Sequence, residues 1–118
     1  MEALIDTGSP YTVLSTVDAL KFRLPIKKMQ KGEGVKLAGF NFFNHKIGKA
    51  VFTFKTTDAG SVWFEIENLG VLIPTKINKK VLEDVEPIPS IIGNDFLEDH
   101  NLTLVFNPNQ KITFLELP

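Results

Sequence analysis

The chain has no cysteine, which excludes disulfides, thiolate nucleophiles and thiolate metal sites together and leaves the redox compartment open. It also lacks any apolar run of membrane-spanning length, so no membrane partner is expected. The amino terminus carries no basic region followed by an apolar core, and a cytoplasmic location is the default expectation. Charge of either sign is not in excess: 13 Lys and Arg stand against 14 Asp and Glu, for a formal net charge of -1. That balance provides no electrostatic footprint for nucleic acid or an anionic surface. Histidine is scarce, and His45 and His100 fall in no metal-ligand spacing such as His-Glu-x-x-His, so no metal and no cofactor is expected. With 118 residues the chain fits one domain, too small for two catalytic lobes, so any second active half has to come from another chain.

What is present favours strands. Ten Phe residues and many Val, Ile and Thr fall in short runs separated by Gly, Pro and Asn, the mark of a mostly β protein. Val51 to Lys55 alternates and faces Val62 to Ile66 across Thr57-Asp58-Ala59-Gly60, which predicts a hairpin. Leu102 to Phe106 and Lys111 to Phe114 predict a second, closed by Asn107-Pro108-Asn109-Gln110. One or two short helices are expected: one capped by Thr16 and running from Val17 to about Phe22 before Pro25, the other beginning near Asn94 with Asp95 at its positive end. Lys27, Lys28 and Lys31 read as a solvated loop, and Asp95, Glu98 and Asp99 as structural carboxylates around a helix.

One carboxylate stands apart. Ala3-Leu4-Ile5 is an apolar strand that delivers Asp6 onto Thr7-Gly8-Ser9, and Tyr11 to Leu14 follows as a second apolar segment. A charge at the end of a buried strand needs pairing, hydrogen bonds or a proton to offset its desolvation. Gly8 permits close approach of backbone or substrate. Thr7 brings a hydroxyl that stays satisfied when buried, and Ser9 one that can bond the Asp6 carboxylate. Far along the chain, Ile91-Ile92-Gly93-Asn94 describes a buried strand that passes close to another backbone before turning into a helix.

These two segments, in this order, resemble the retropepsin-like aspartic proteases. Asp6-Thr7-Gly8-Ser9 looks like their catalytic turn, Ile91-Ile92-Gly93 like the strand beneath it, and Gly32 to Phe43 stands where the family has its flap. The carboxy-terminal stretch, Gly93 through Leu117, is more similar to cellular and prokaryotic members than to viral ones. The resemblance implies a single-domain acid-protease barrel over residues 1–118 with a flap hairpin. Only five residues precede Asp6, so the family's amino-terminal strand or strands are expected to be missing. Apolar residues on both faces of the last strand, Ile112, Phe114, Leu115 and Leu117, are expected to serve a subunit interface instead.

The resemblance further implies a homodimer in which Asp6 meets Asp6 of its partner, shares a proton with it and activates a water against a peptide carbonyl. Thr7 and Gly8 complete the catalytic turn. Ser9, Leu37, Ala38, Gly39 and Phe40, with Ile91 and Ile92, are the expected contacts to a polypeptide substrate. Two other readings stay open: a retropepsin-like module that binds peptides or pairs chains without turnover, and a small β-barrel interaction domain in which Asp6 merely satisfies turn amides. The alternative to a flap is an ordinary hairpin whose Phe40, Phe42 and Phe43 simply fill the core.

Overall fold

The computed structural model describes residues 1–118, the side chain of Ile112 excepted. Twelve elements follow in order: β1 (Ala3–Ile5), β2 (Val13–Leu14), α1 (Thr16–Lys21), a 3₁₀ turn (Ile26–Lys28), β3 (Gly34–Leu37), β4 (Phe40–Lys55), β5 (Ser61–Pro74), α2 (Lys79–Val85), β6 (Ser90–Ile92), α3 (Asn94–Asp99), β7 (Thr103–Asn107) and β8 (Ile112–Glu116). The protein is mostly β, as expected. Six strands form one sheet in the order β1-β6-β2-β5-β4-β3, and β7 and β8 form a separate ribbon. The large sheet curls into a half-barrel. No helix among the described residues is long and apolar enough to cross a membrane.

The expected hairpins are present, and the first is much longer than the alternating residues indicate. β4 and β5 pair from Phe42↔Pro74 to Lys55↔Ser61, with a lapse at Gly48 and Asn68 where Asn68 takes φ 57°. Below the lapse the ribbon covers a core of Leu14, Ala19, Leu69, Val71 and Ile73. Beyond it, Phe52, Phe54, Phe64 and Ile66 cover Ile92, Phe96 and Leu97. Phe96 sits 5.5–5.9 Å from the rings of Phe52, Phe54 and Phe64, within the range at which aromatic pairs attract. The terminal hairpin pairs Thr103↔Glu116 through Asn107↔Ile112. Leu115 packs inward and Phe114 is exposed, while the Ile112 side chain lies outside the described residues.

Three helices form, one more than expected. For α1 the cap is Ser15, not Thr16: the Ser15 hydroxyl accepts from Asp18 N at 3.1 Å. Thr16 is already helical, and its hydroxyl donates to Leu72 O at 2.7 Å, tying the helix to β5. The Asp18 carboxylate, buried, accepts from the Ser90 hydroxyl at 2.5 Å, and Ser90 Oγ accepts from Ser15 N at 2.8 Å, so α1 is clamped to β6. The unexpected helix is α2. Asn78 caps it by accepting from Val81 N at 2.9 Å, and Val81 and Val85, one turn apart, face the core of Val13, Phe42, Leu72 and Ile91.

Candidate functional site

The loop from Asp6 to Thr12 joins two strands that do not pair with each other. β6 lies between them, parallel to β1 with Leu4↔Ile91 and Ile5↔Ile92, and antiparallel to β2 at Val13↔Ile91. The loop must therefore arch over the end of β6 where Gly93 begins the turn into α3. A Cβ built on Gly93 would meet Tyr11 O at 2.4 Å, Tyr11 C at 2.6 Å and Ser9 O at 2.8 Å. Only a glycine lets the two backbones pass at that separation.

Hydrogen bonds fix the loop along its length. Asp6 N donates to Ile92 O at 3.0 Å, and Asn94 N donates to Ser9 O at 2.8 Å. Thr12 is the hub at the far end. It is 4 % exposed, and its hydroxyl accepts from Gly93 N at 3.0 Å and donates to Asp95 Oδ1 at 2.7 Å, while Thr12 N donates to Asp95 Oδ2 at 3.2 Å. Asp95 also accepts from Phe96 N at 2.8 Å. Asp95 thus holds the loop to α3 as well as serving the start of that helix. Neither Thr12 nor this reach of Asp95 was expected from the sequence, although a Thr inside the apolar run Tyr11 to Leu14 is a buried hydroxyl in need of a partner.

At the crown, Ser9 N donates to Asp6 O at 3.0 Å and closes a tight turn, and Gly8 N donates to Asp6 Oδ1 at 3.0 Å. Asp6 is half-buried, and Thr7 and Gly8 are exposed, so the carboxylate is held from below and open above. Ser9 departs from expectation. Its hydroxyl donates to Tyr11 O at 2.8 Å, so it braces the loop and does not bond the Asp6 carboxylate. The apolar side chains of Leu4 and Tyr11 flank the turn and are 53 % and 56 % exposed.

The remaining expected contacts divide. Ile91 and Ile92 are buried, Ile91 in the core with Val13 and Phe42 and Ile92 with Phe96 and Leu97; they support the loop from beneath and do not line its open side. Gly34 to Phe43 does form a hairpin, with Leu37↔Phe40 closing it and Ala38 at φ 51° and Gly39 at φ 82° in the two-residue turn. Positive φ at both central positions matches the twist of the flanking strands. Ala38 and Gly39 are exposed at the tip, while Leu37 and Phe40 pack against Val13, Phe42, Leu72, Val85 and Ile91. The hairpin's apolar residues are thus seated on the same core that carries β6.

Both histidines have structural surroundings. His100 ends α3, lies 4.7–4.8 Å from the rings of Phe64 and Phe96, and its Nε2 is 3.0 Å from Glu65 O. His45 has a buried Nδ1 without a hydrogen-bond partner, and burial, helped by Lys31, lowers its pKa below the ordinary imidazole value. Asp58, in the turn between β4 and β5, is held below the usual carboxylate range by the Thr56 hydroxyl and then by Gly60 N–H. Among the described residues no group of three or more His, Asp or Glu side chains is gathered as for a metal ion. Comparison with family models, curated proteins and solved structures yields no match to this chain.

Proposed function

We propose that this chain is a retropepsin-like aspartic endopeptidase, active as a homodimer in which two copies of Asp6 form one catalytic dyad. The observation that carries the reading is the Asp6 loop itself: an accessible carboxylate at a strand end, gripped by Gly8 N–H at 3.0 Å and pinned over Gly93 by the Asp6, Ser9 and Thr12 hydrogen bonds. A rigid loop that holds one carboxylate open to solvent is suited to meet an identical loop across a two-fold axis.

In that arrangement two carboxylates a few ångströms apart cannot both ionise cheaply and share a proton. The ionised one takes a proton from a water, whose oxygen adds to the peptide carbonyl carbon. The protonated one gives its proton to the carbonyl oxygen and, as the C–N bond breaks, the nitrogen leaves with a proton from the dyad. Thr7 braces the two turns across the dyad, and Gly8 lets substrate approach the carboxylates. The β3–β4 hairpin serves as the flap, with Ala38 and Gly39 at its tip, and an extended polypeptide lies between flap and dyad.

The test is cleavage of unfolded protein or apolar peptides between acidic and neutral pH. Asp6→Asn is expected to lower the rate by at least about a thousandfold with secondary structure unchanged, in line with removal of a catalytic acid–base group. Cleavage that survives Asp6→Asn, or a wild-type chain that stays monomeric under assay conditions, would refute the proposal.

A further inference from the structure

The fold brings a cation against the Asp6 loop from across the sheet. Val13 of β2, Gly70 of β5 and Lys46 of β4 stand side by side, and a Cβ at Gly70 would collide with the Asn44 side chain and meet Val13 Cγ1 at 3.0 Å. With no side chain in between, Lys46 leans over β5. Its ammonium lies 5.8 Å from the centre of the exposed Tyr11 ring, which flanks the Asp6 turn. The strand that carries it is fixed, since Lys46 N donates to Gln30 O at 2.9 Å, and the residue is half-buried.

Its surroundings are positive. Residues 19–55 hold nine Lys and Arg and one carboxylate, Glu33, so this stretch carries +8 in a chain whose total is -1. Gln30 bridges to Lys46, and the Lys31 ammonium lies 3.8 Å from the centre of the Phe43 ring, which sets the basic segment before β3 alongside β4. On β5, Glu67 and Glu65 stand opposite Lys49 and Val51, past the lapse at Gly48. What Lys46 approaches is an aromatic face. A ring attracts an ammonium but does not accept its three N–H donors as a carboxylate does. A cation partly withdrawn from water and so lightly matched favours an anion that arrives from outside.

Resting on the endopeptidase reading, we propose that Lys46, set against Tyr11, determines specificity by receiving an acidic side chain of the substrate, so that the protein prefers polypeptides with Glu or Asp a few residues from the bond it cuts. The acid belongs at a distance from that bond, because a dyad sharing one proton keeps one negative charge and repels a carboxylate beside it. Tyr11 marks the distance. It lies on the Asp6 loop but beyond the Ser9 turn, and its ring supports the apolar stem of a Glu while Lys46 meets the charge. In the two-fold dimer each copy brings its own Lys46, so an acid on either side of the bond is served. The wider positive charge of residues 19–55 draws acidic chains toward this side and turns basic ones away.

The probes are three peptides with one apolar centre and, a few residues to either side of it, Glu, Gln or Lys. Cleavage by the full chain is expected to show kcat/KM about tenfold higher for the Glu peptide than for the Gln peptide, chiefly through KM, with the Lys peptide poorest and the differences shrinking as salt rises. Lys46→Gln should bring the Glu and Gln peptides within about twofold of each other, and Lys46→Arg should restore most of the preference. Lys55→Gln makes the same change of net charge at the far end of β4 and should leave the preference as it was. Binding of the fluorescently labelled peptides to the Asp6→Asn chain, read by anisotropy, needs no turnover and should follow the same order. Glu and Gln peptides cut or bound equally, a preference that survives Lys46→Gln, or one that Lys55→Gln removes as fully would overturn the role of Lys46 and leave the endopeptidase reading standing. Selective binding of the Glu peptide, lost in the chain that carries both Asp6→Asn and Lys46→Gln, with no cleavage by the wild-type chain, would end the endopeptidase reading and leave Lys46 as the acid-selecting residue of a peptide-binding surface.

Discussion

Replacing Gly93 by Ala tests the packing on which the Asp6 loop depends. The added methyl would sit 2.4 Å from Tyr11 O and 2.8 Å from Ser9 O, against about 3.4 Å for an ordinary contact, and every atom it meets at these distances is backbone. Relief requires the loop to rise by about 1 Å, the difference between those separations. A lift of that size stretches the 2.8 Å bond from Asn94 N to Ser9 O and the 3.0 Å bond from Gly93 N to Thr12 Oγ1 beyond hydrogen-bonding range. Overpacking costs about 1–3 kcal/mol and each lost bond about 1 kcal/mol, so the total is about 3–5 kcal/mol. That is a large share of the stability of a small domain. Urea unfolding followed by far-UV circular dichroism measures it, with Gly48→Ala as the control. Gly48 has nothing within 4 Å of its Cβ position and an ordinary φ, so its change should be neutral or stabilise by up to about 1 kcal/mol. If Gly93→Ala costs less than about 1 kcal/mol, the loop is not held against β6 as described.

Ser90→Ala strips the buried Asp18 carboxylate of its hydroxyl donor and Ser15 N of its acceptor, and should cost about 2–4 kcal/mol in the same urea titration; Asp18→Asn then should recover part of the loss by removing the buried charge. Thr12→Val leaves Gly93 N without its acceptor and deprives Asp95 of a donor, so a destabilisation of about 2–3 kcal/mol is expected, and a neutral result would count against the hub. His45 sets a pH dependence. Its folded pKa lies below the unfolded value of 6.5, so the folded state binds fewer protons, and stability present above pH 6.5 is lost as the pH falls toward the folded pKa. His45→Gln should flatten the Tm profile over that interval, and a profile unchanged by the substitution would contradict it.

The parts of the fold that could be read from the sequence are those written in local periodicity. Phe52 and Phe54 alternate against Phe64 and Ile66, and Asn107-Pro108 punctuates the last hairpin. Asn78 with Val81 and Val85 carries an equally local signal for α2, set among Lys79, Lys80, Glu83 and Asp84, which give the segment the composition of a polar loop. The site was legible in its chain positions and not in its contacts. Asp6 and Gly93 announce themselves as residue types, but whether a serine hydroxyl turns toward Asp6 or toward Tyr11 O is settled by loop geometry that no spacing encodes. The Thr12–Asp95 link spans 83 positions, and nothing local marks either residue as the other's partner. Ile91 and Ile92 illustrate the converse: apolar residues beside a candidate site are as readily its foundation as its lining, and only burial tells the two apart.

The insertion of β6 between β1 and β2 also has a consequence in time. Asp6 leaves a ribosome well before the groups that shape its loop: Ile92, Gly93, Asn94 and Asp95 come more than eighty residues later. Until they arrive, β1 and β2 have nothing to separate them and the Asp6 turn has no floor. A nascent chain therefore carries its carboxylate before its turn has form, and the loop takes shape only when the three residues of β6 pair with β1 and β2. Contacts this distant in sequence make folding slow and leave apolar strands waiting for partners. In a molecule whose proposed chemistry would cut polypeptides, that ordering also keeps the cutting edge unsharpened until β6 has been made.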